Sequence, residues 1–462
     1  MPTTRPTPKR NLIQNIFFLF FVLLSGCQDA SEKRLAQAES AYEHKEYDRA
    51  ISISESFLTS NPKSLPAHRL IAFSYIDQEK VSEALSDYRS IETTDSFLAT
   101  LLLKEIALHI IQRSLTHENY FARSAAVKAI GEMGEVKQIP LIVPSLKDSE
   151  TFVRFFSAEA LGHLGGAKAL QLLMGAGRDP EPMVRVAVLK AIDEMTQQDK
   201  GELVGLNEHR LFESFKKDPE QTVQLFALAA MAKRGDGAAF SEMRQIFERL
   251  KGGSDPSLWV ALGRTKNKTA IPLLVEGLKR TEAPIRMYAT EAIGEIADPA
   301  TYDLLSKMLS DSDPAVRGAA ATSLGKLGDK RAIRLLIPAL QETDAIARVS
   351  VAEGLKRLGQ SEESVYREAM NHEDYGVRHF AIGSLIKNFG KEGLPILEAA
   401  LSDNAPRVRI AAVRGIGEIG DQTGIPLLTT ALKDTDVAVR TYAAGNLVRL
   451  MDKNQTQTSQ TE

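Results

Sequence analysis

Pro314-Ala315-Val316-Arg317-Gly318-Ala319-Ala320-Ala321-Thr322-Ser323-Leu324-Gly325-Lys326-Leu327-Gly328-Asp329 is the stretch on which the fold turns. Small residues fill most of it. Large aliphatic side chains stand only at Val316, Leu324 and Leu327, and Gly328-Asp329 breaks the run. Ala and Leu favour a helix. Positions three, seven and ten after Arg317 lie on one helical face, so the helix buries a single stripe. The same pattern recurs at 406–421. Arg317 belongs to a column formed with Arg123, Arg154, Arg185, Arg286, Arg348, Arg378, Arg409 and Arg440, in steps of 31 residues with one of 30. Between Arg185 and Arg286 the column passes through Gln224 and Asp255, after an eight-residue insertion near 197–212. Seven positions beyond each column residue stand Ile130, Leu161, Ile192, Met231, Leu262, Ile293, Leu324, Leu355, Leu385, Ile416 and Leu447, all large and aliphatic. A second amphipathic segment follows in each unit, as at 271–278, 333–340 and 425–432, with Pro140, Pro272 and Pro426 in first turns, where a missing N–H costs nothing. Two short helices cannot bury a core, but a stack of such hairpins can.

Six residues before the column stand Asp148, Asp179, Asp218, Asp311, Asp403 and Asp434. A carboxylate there precedes a helix start. It is expected to cap backbone N–H groups and to pair with the arginines, so that both columns form a structural ladder. A different repeat occupies 32–96. Ala38 and Ala72 are 34 residues apart, as are Ala50 and Ala84, and Pro62 closes the first unit. Small residues in those columns let paired helices approach closely, and a proline ends a helix.

The N-terminus reads as a leader. Arg5, Lys9 and Arg10 are followed by an unbroken apolar run from Ile16 to Leu24. Nine apolar residues are too few for a spanning helix, which needs about 20, and fit a signal peptide. Cys27 is the only cysteine, so no disulfide forms within the chain. Residues 1–26 hold three of the 57 basic residues and none of the 60 acidic ones. The chain from Cys27 onward therefore carries a net charge of −6, which argues against nucleic acid as a partner.

Three resemblances follow. The 34-residue units resemble tetratricopeptide repeats, without that consensus's Trp and Gly. The 31-residue units resemble HEAT-like repeats of the phycobilisome-lyase class, over roughly 105–451. Leu24-Ser25-Gly26-Cys27 resembles the bacterial lipobox, which implies cleavage between Gly26 and Cys27 and acylation of Cys27 with fatty acids such as palmitate. Gln28 in place of Asp fits the outer-membrane sorting rule of diderm bacteria.

The expected fold class is all-α, a right-handed α-solenoid of stacked helical hairpins, TPR-like and then HEAT-like. The expected order is a signal peptide (1–26), a short anchor linker (27–31), two TPR-like repeats (32–96), about eleven HEAT-like repeats (97–451) and a disordered polar tail (452–462). With helix spacings of about 8–10 Å, the HEAT-like array would be a curved rod on the order of 100 Å long.

Enzymes also use this scaffold. Deoxyhypusine hydroxylase binds iron through His-Glu pairs that follow the repeat arginine. Here His117-Glu118 and His372-Glu373 fall in the turn-aspartate column, and His379 follows Arg378 with Phe380 where Glu would stand. Neither a metal site, a cofactor nor a catalytic set is expected. Bilin lyases share the repeat, but an exported lipoprotein is a poor home for their reaction. Arg234-Gly235-Asp236 falls at an ordinary repeat turn, and Trp259, the only tryptophan, fits a packing role. The expected function is a membrane-anchored scaffold that binds proteins in the cell envelope. The alternatives are a HEAT-like enzyme or cofactor-handling protein and a passive spacer.

Overall fold

The computed structural model describes residues 30–198, 212–250, 253 and 255–458. The leader, Gly26, Cys27 and most of the insertion lie outside the described residues. Every regular element among the described residues is helical, and none is long and apolar enough to cross a membrane. The chain divides into two compact units, 1–102 and 103–462, a few residues later than the repeat change places the boundary.

In the first unit, α1 (Ala30–Glu43), α2 (Tyr47–Leu58), α3 (Leu65–Asp77) and α4 (Val81–Glu92) pack as successive antiparallel pairs. Ala38, Ala50, Ala72 and Ala84 are all 0% exposed, so the 34-residue columns mark where helices touch. His68 is buried between α3 and α4. Its Nδ1 lies 3.0 Å from a carboxylate oxygen of Asp87, and its Nε2 lies 3.0 Å from the Pro62 carbonyl oxygen. Both partners are acceptors, so only the imidazolium satisfies both at once. Burial opposes that charge, but Asp87 and the Pro62 carbonyl outweigh it and hold the His68 pKa above its ordinary value.

A linking helix, α5 (Ser96–Ser114), crosses the division. The first helices of the eleven HEAT-like repeats follow. They are α6 (Tyr120–Met133), α7 (Thr151–Leu164), α8 (Pro182–Gln198), α9 (Gln221–Lys233), α10 (Pro256–Arg264), α11 (Ala283–Ile296), α12 (Pro314–Leu327), α13 (Ala345–Arg357), α14 (Tyr375–Phe389), α15 (Pro406–Ile419) and α16 (Val437–Thr458). The aliphatic column seven places after the arginine is buried in every repeat. Trp259 is also buried, edge-on to Phe247, so it belongs to the core. The end of α16 corrects the expected tail: residues 452–458 continue the helix, and Asp452 pairs with Lys104 of α5.

Each first helix packs on the next along one edge, and small residues set the spacing. A Cβ added at Gly131 would lie 2.7 Å from Ala160, one at Gly162 2.8 Å from Ala191, and one at Gly263 2.8 Å from Ala292. These glycines sit eight places after the arginine column and meet the small residue six places after it in the next repeat. The stacking does not stop at the last repeat, although its closing contact uses position five, because position eight there is Val448. α16 packs against α6 as closely as α6 does against α7. A Cβ on Gly445 would lie 2.6 Å from that of Ala129. Ser114 and Thr441 share a hydrogen bond of 2.7 Å, and Arg414 Nε donates to Glu132 at 2.9 Å.

The solenoid is therefore closed. The second unit is a ring of eleven inner helices, with the second helix of each repeat outside. This overturns the expected open rod. Eleven axes spaced about 8–10 Å apart make a ring about 30 Å across, and helices about 10–12 Å thick leave an opening on the order of 15–20 Å.

The glycine column is interrupted three times, by Asp193 and Ala232, by Lys356 and Ile386, and at the closure by Val448. At the first break the buried Asp193 accepts ion pairs from Lys233 (3.3 Å), Arg234 (2.6 Å) and Arg264 (3.2 Å). Arg264 reaches it from two repeats away.

Candidate binding surface on the inner wall

The ladder occupies the edge where each repeat meets the next. Arg123, Arg154, Arg185, Arg286, Arg378 and Arg409 each donate through Nε and Nη2 to both oxygens of Asp148, Asp179, Asp218, Asp311, Asp403 and Asp434 respectively, at 2.6–3.1 Å. The third nitrogen, Nη1, donates back to carbonyls of the arginine's own turn, as Arg286 does to Arg280 (3.0 Å) and Thr281 (2.8 Å). Each aspartate also accepts the backbone N–H two residues on, at 2.8–2.9 Å. One arrangement thus ties two repeats and a helix entry together, even across the insertion, where Arg185 still finds Asp218.

Arg317 pairs with Glu342, a column member missed by searching for Asp alone. The hydrogen bonds from Arg317 hold the Glu342 carboxyl at about 2. Arg348 turns to Glu368 (2.9 Å), because the next column position is His372. Arg440 donates to Asp434 and Thr435 carbonyls in its own turn.

His117 and His372 sit in the aspartate column and act as turn caps. Their Nδ1 atoms accept from the N–H of Asn119 (3.0 Å) and Asp374 (3.1 Å). Around the closed ring their repeats are three apart the short way, still roughly 25 Å at the usual helix spacing. Among the described residues no three His, Cys, Asp or Glu side chains are grouped to hold a metal. Arg234-Gly235-Asp236 is a repeat turn in which Gly235 has φ 90° and Asp236 caps the next helix through Ala238 and Ala239.

The ladder and the core use three sides of each inner helix. The fourth side borders the enclosed opening and holds positions two, five and nine after the arginine column, with position two largely covered by its neighbours. Sequence reading passed over this face, although one signal was available: the ninth position is ionisable in all eleven repeats, from Glu132 to Arg449. At the second position stand Phe156, Phe226, Tyr288, Phe380 and Tyr442, separated by small residues. Cations at the fifth position reach across to the aromatic ring of the next repeat. Lys128 Nζ lies 4.9 Å from the centre of Phe156, Lys190 Nζ 5.0 Å from Phe226, and the Arg414 guanidinium 5.8 Å from Tyr442. Burial pushes the Lys128 and Lys190 pKa values down, assisted by Arg414 and Arg264 respectively. Glu291 is exposed, yet burial raises its pKa.

Comparison with known families agrees with the helical-repeat architecture. A family described as HEAT repeats matches residues 107–199, 258–313, 271–356 and 363–449, together more than half of the chain. The chain belongs to the HEAT-repeat family. Residues 9–90 of this HEAT-repeat protein match a second family, described as anaphase-promoting complex, cyclosome, subunit 3, in keeping with the TPR-like first unit. No curated protein sequence matches the HEAT-repeat protein.

Among solved structures it is similar to the complex of CpcE and CpcF of phycocyanin lyase from Nostoc sp. PCC7120. The identity is 20%, over 61% of this chain and 94% of that one, with a TM-score of 0.32. It is also similar to human deoxyhypusine hydroxylase in complex with glycerol, at 18% identity over 68% and 96%, with a TM-score of 0.28. A Kap121p mutant matches at 13% identity over 89% and 56%, with a TM-score of 0.32.

Proposed function

We propose that this HEAT-repeat protein is a non-catalytic scaffold of the bacterial cell envelope, anchored in the outer membrane through acylated Cys27, and that it binds protein partners on the inner wall of its ring. The observation that carries the binding reading is the inner wall itself. Its charged and aromatic columns take no part in the ladder, many of their side chains stay at least part-exposed, and the helices leave an opening on the order of 15–20 Å between them. Stacked helical repeats commonly present such surfaces to partners, and aromatic and arginine side chains are the residues on which protein interfaces most often depend. The lipobox-like Leu24-Ser25-Gly26-Cys27 supports the tether. A non-catalytic role is supported by where the reactive side chains go, since the ladder arginines and aspartates and both turn histidines hold the repeats together.

Two experiments test this reading. A photo-crosslinking residue at Thr322 or Gly383, small inner-wall positions, is expected to capture the same partner segment in intact envelopes, whereas one at Leu335 on an outer helix is not. Equal capture from both faces, or capture from neither, would count against inner-wall binding. For the tether, Cys27→Ser is expected to abolish palmitate labelling and release the protein from the membrane fraction. Unchanged labelling sinks the lipoprotein reading.

A further inference from the structure

The inner wall is not electrically uniform. Around the closure, in repeats nine, ten, eleven and one, the inward positions carry Lys387, Arg414, Arg449 and Lys128, joined by the exposed Arg407 in the first turn of α15, against the carboxylates Glu418 and Glu132. Glu132 is engaged by Arg414. Five cations therefore face two carboxylates, one already paired, on a chain whose net charge is negative.

The cations also disturb one another. Burial and then the charge of Arg414 lower the Lys128 pKa, against the opposing pull of Glu132 and Glu159. Burial, then Arg407 and Arg414, lower that of His379. Like charges held together short of water raise the free energy of the empty surface, and a bound anion relieves it. One part-exposed aromatic ring, Phe380, lies in the same arc, and an apolar or aromatic side chain can pack on it, whereas Tyr442 is buried beneath Arg414.

We propose that the cationic arc at the ring closure, centred on Lys128, Arg407 and Arg414, binds an acidic polypeptide segment of a partner protein. The proposal rests on the scaffold reading and names the chemistry of its partner. Carboxylates seat on the cations, and an apolar side chain of the segment rests on Phe380. The free carboxylates Asp and Glu match lysine and arginine both singly and in forked pairs. A deep sequence-reading nucleic-acid surface would instead call for a basic chain, and this chain is acidic.

The test uses the full chain in detergent and a short fluorescein-labelled oligoglutamate peptide, with oligolysine and an oligonucleotide of equal length as comparisons. Fluorescence anisotropy is expected to show oligoglutamate binding that weakens steeply with added salt, no oligolysine binding, and weaker oligonucleotide binding. Arg407→Glu and Lys128→Glu are each expected to weaken oligoglutamate about tenfold. Lys307→Glu, the same charge change on an outer helix, is expected to leave binding within about twofold of the parent. Circular dichroism and melting checks the fold of each variant, and Lys128→Gln replaces Lys128→Glu if the latter does not fold.

Failure of oligoglutamate to bind, equal losses from Lys307→Glu and Arg407→Glu, or tighter binding of the oligonucleotide each overturns the proposal. If oligoglutamate fails while the inner-wall crosslinks to an envelope partner persist, the scaffold reading stands and only the acidic partner is lost. Absence of those crosslinks removes the scaffold reading itself.

Discussion

A ladder arginine joins its own turn, the next repeat and the entry of the next helix through one side chain. Its replacement leaves a part-buried carboxylate and bare carbonyls. Arg286→Ala is expected to cost about 2–3 kcal/mol, less than the loss from a fully buried pair because this one is part-buried, read as a lower unfolding midpoint. Arg286→Lys recovers little of it, because a single ammonium cannot satisfy Asp311 and two carbonyls in that fork. The ladder was legible because both columns keep step with the 31-residue period, and Glu342 escaped only because its side chain is one methylene longer.

His68 shows the opposite case. Nothing in the 34-residue period marks it, since its role depends on Asp87 and Pro62 meeting it in space. Its pKa is raised in the folded chain above the usual 6.5. The stability contributed by the imidazolium is therefore complete below about pH 6.5 and is lost as pH rises through the higher folded value. His68→Gln is expected to remove that pH response from the unfolding midpoint of the first unit. A variant that keeps the parent's pH profile would assign the response to another group.

Helix spacing in the ring is set by the glycine column, and here the physical cause is volume rather than charge. Gly263→Ala places a methyl 2.8 Å from the Ala292 backbone, where no rotamer change can make room. The helices must separate, at an expected cost of about 1–3 kcal/mol, the usual range for an overpacked core, measured by chemical denaturation. A loss below about 0.5 kcal/mol would mean that the joint yields freely. The recurrent helix, its buried stripe and its small edge were all readable from Pro314–Asp329. The breaks at Asp193 and Lys356 were visible as departures from the pattern. That three cations converge on Asp193 was not visible, because Arg264 arrives from two repeats away. The inward face was overlooked for a related reason: charged residues on a helix usually mean solvent, and sequence alone does not say which solvent-facing side lies inside a ring.

Closure is a property of the second unit as a whole, and no single repeat contains it. Each joint rotates by an amount set by side-chain volumes on both its edges, and only the sum over all joints decides between a rod and a ring. Gly445→Leu, at the contact with Ala129, is expected to open the ring while leaving the other joints folded. X-ray scattering would then show a larger radius of gyration with unchanged helical content. Unaltered scattering would mean that the remaining closing contacts, among them Ser114 with Thr441, suffice without that close approach. An open solenoid can gain or lose a unit at little cost, because its neighbours need not change. A circle has no such freedom. Eleven units turn by about 33° each, and ten would have to turn by about 36°, so removing one repeat changes the demand on every remaining joint. The length of this array is therefore discrete: a duplication or deletion of one repeat must be absorbed by all the others together or leave a gap, and the spread of repeat numbers among its natural relatives should be far narrower than among open arrays.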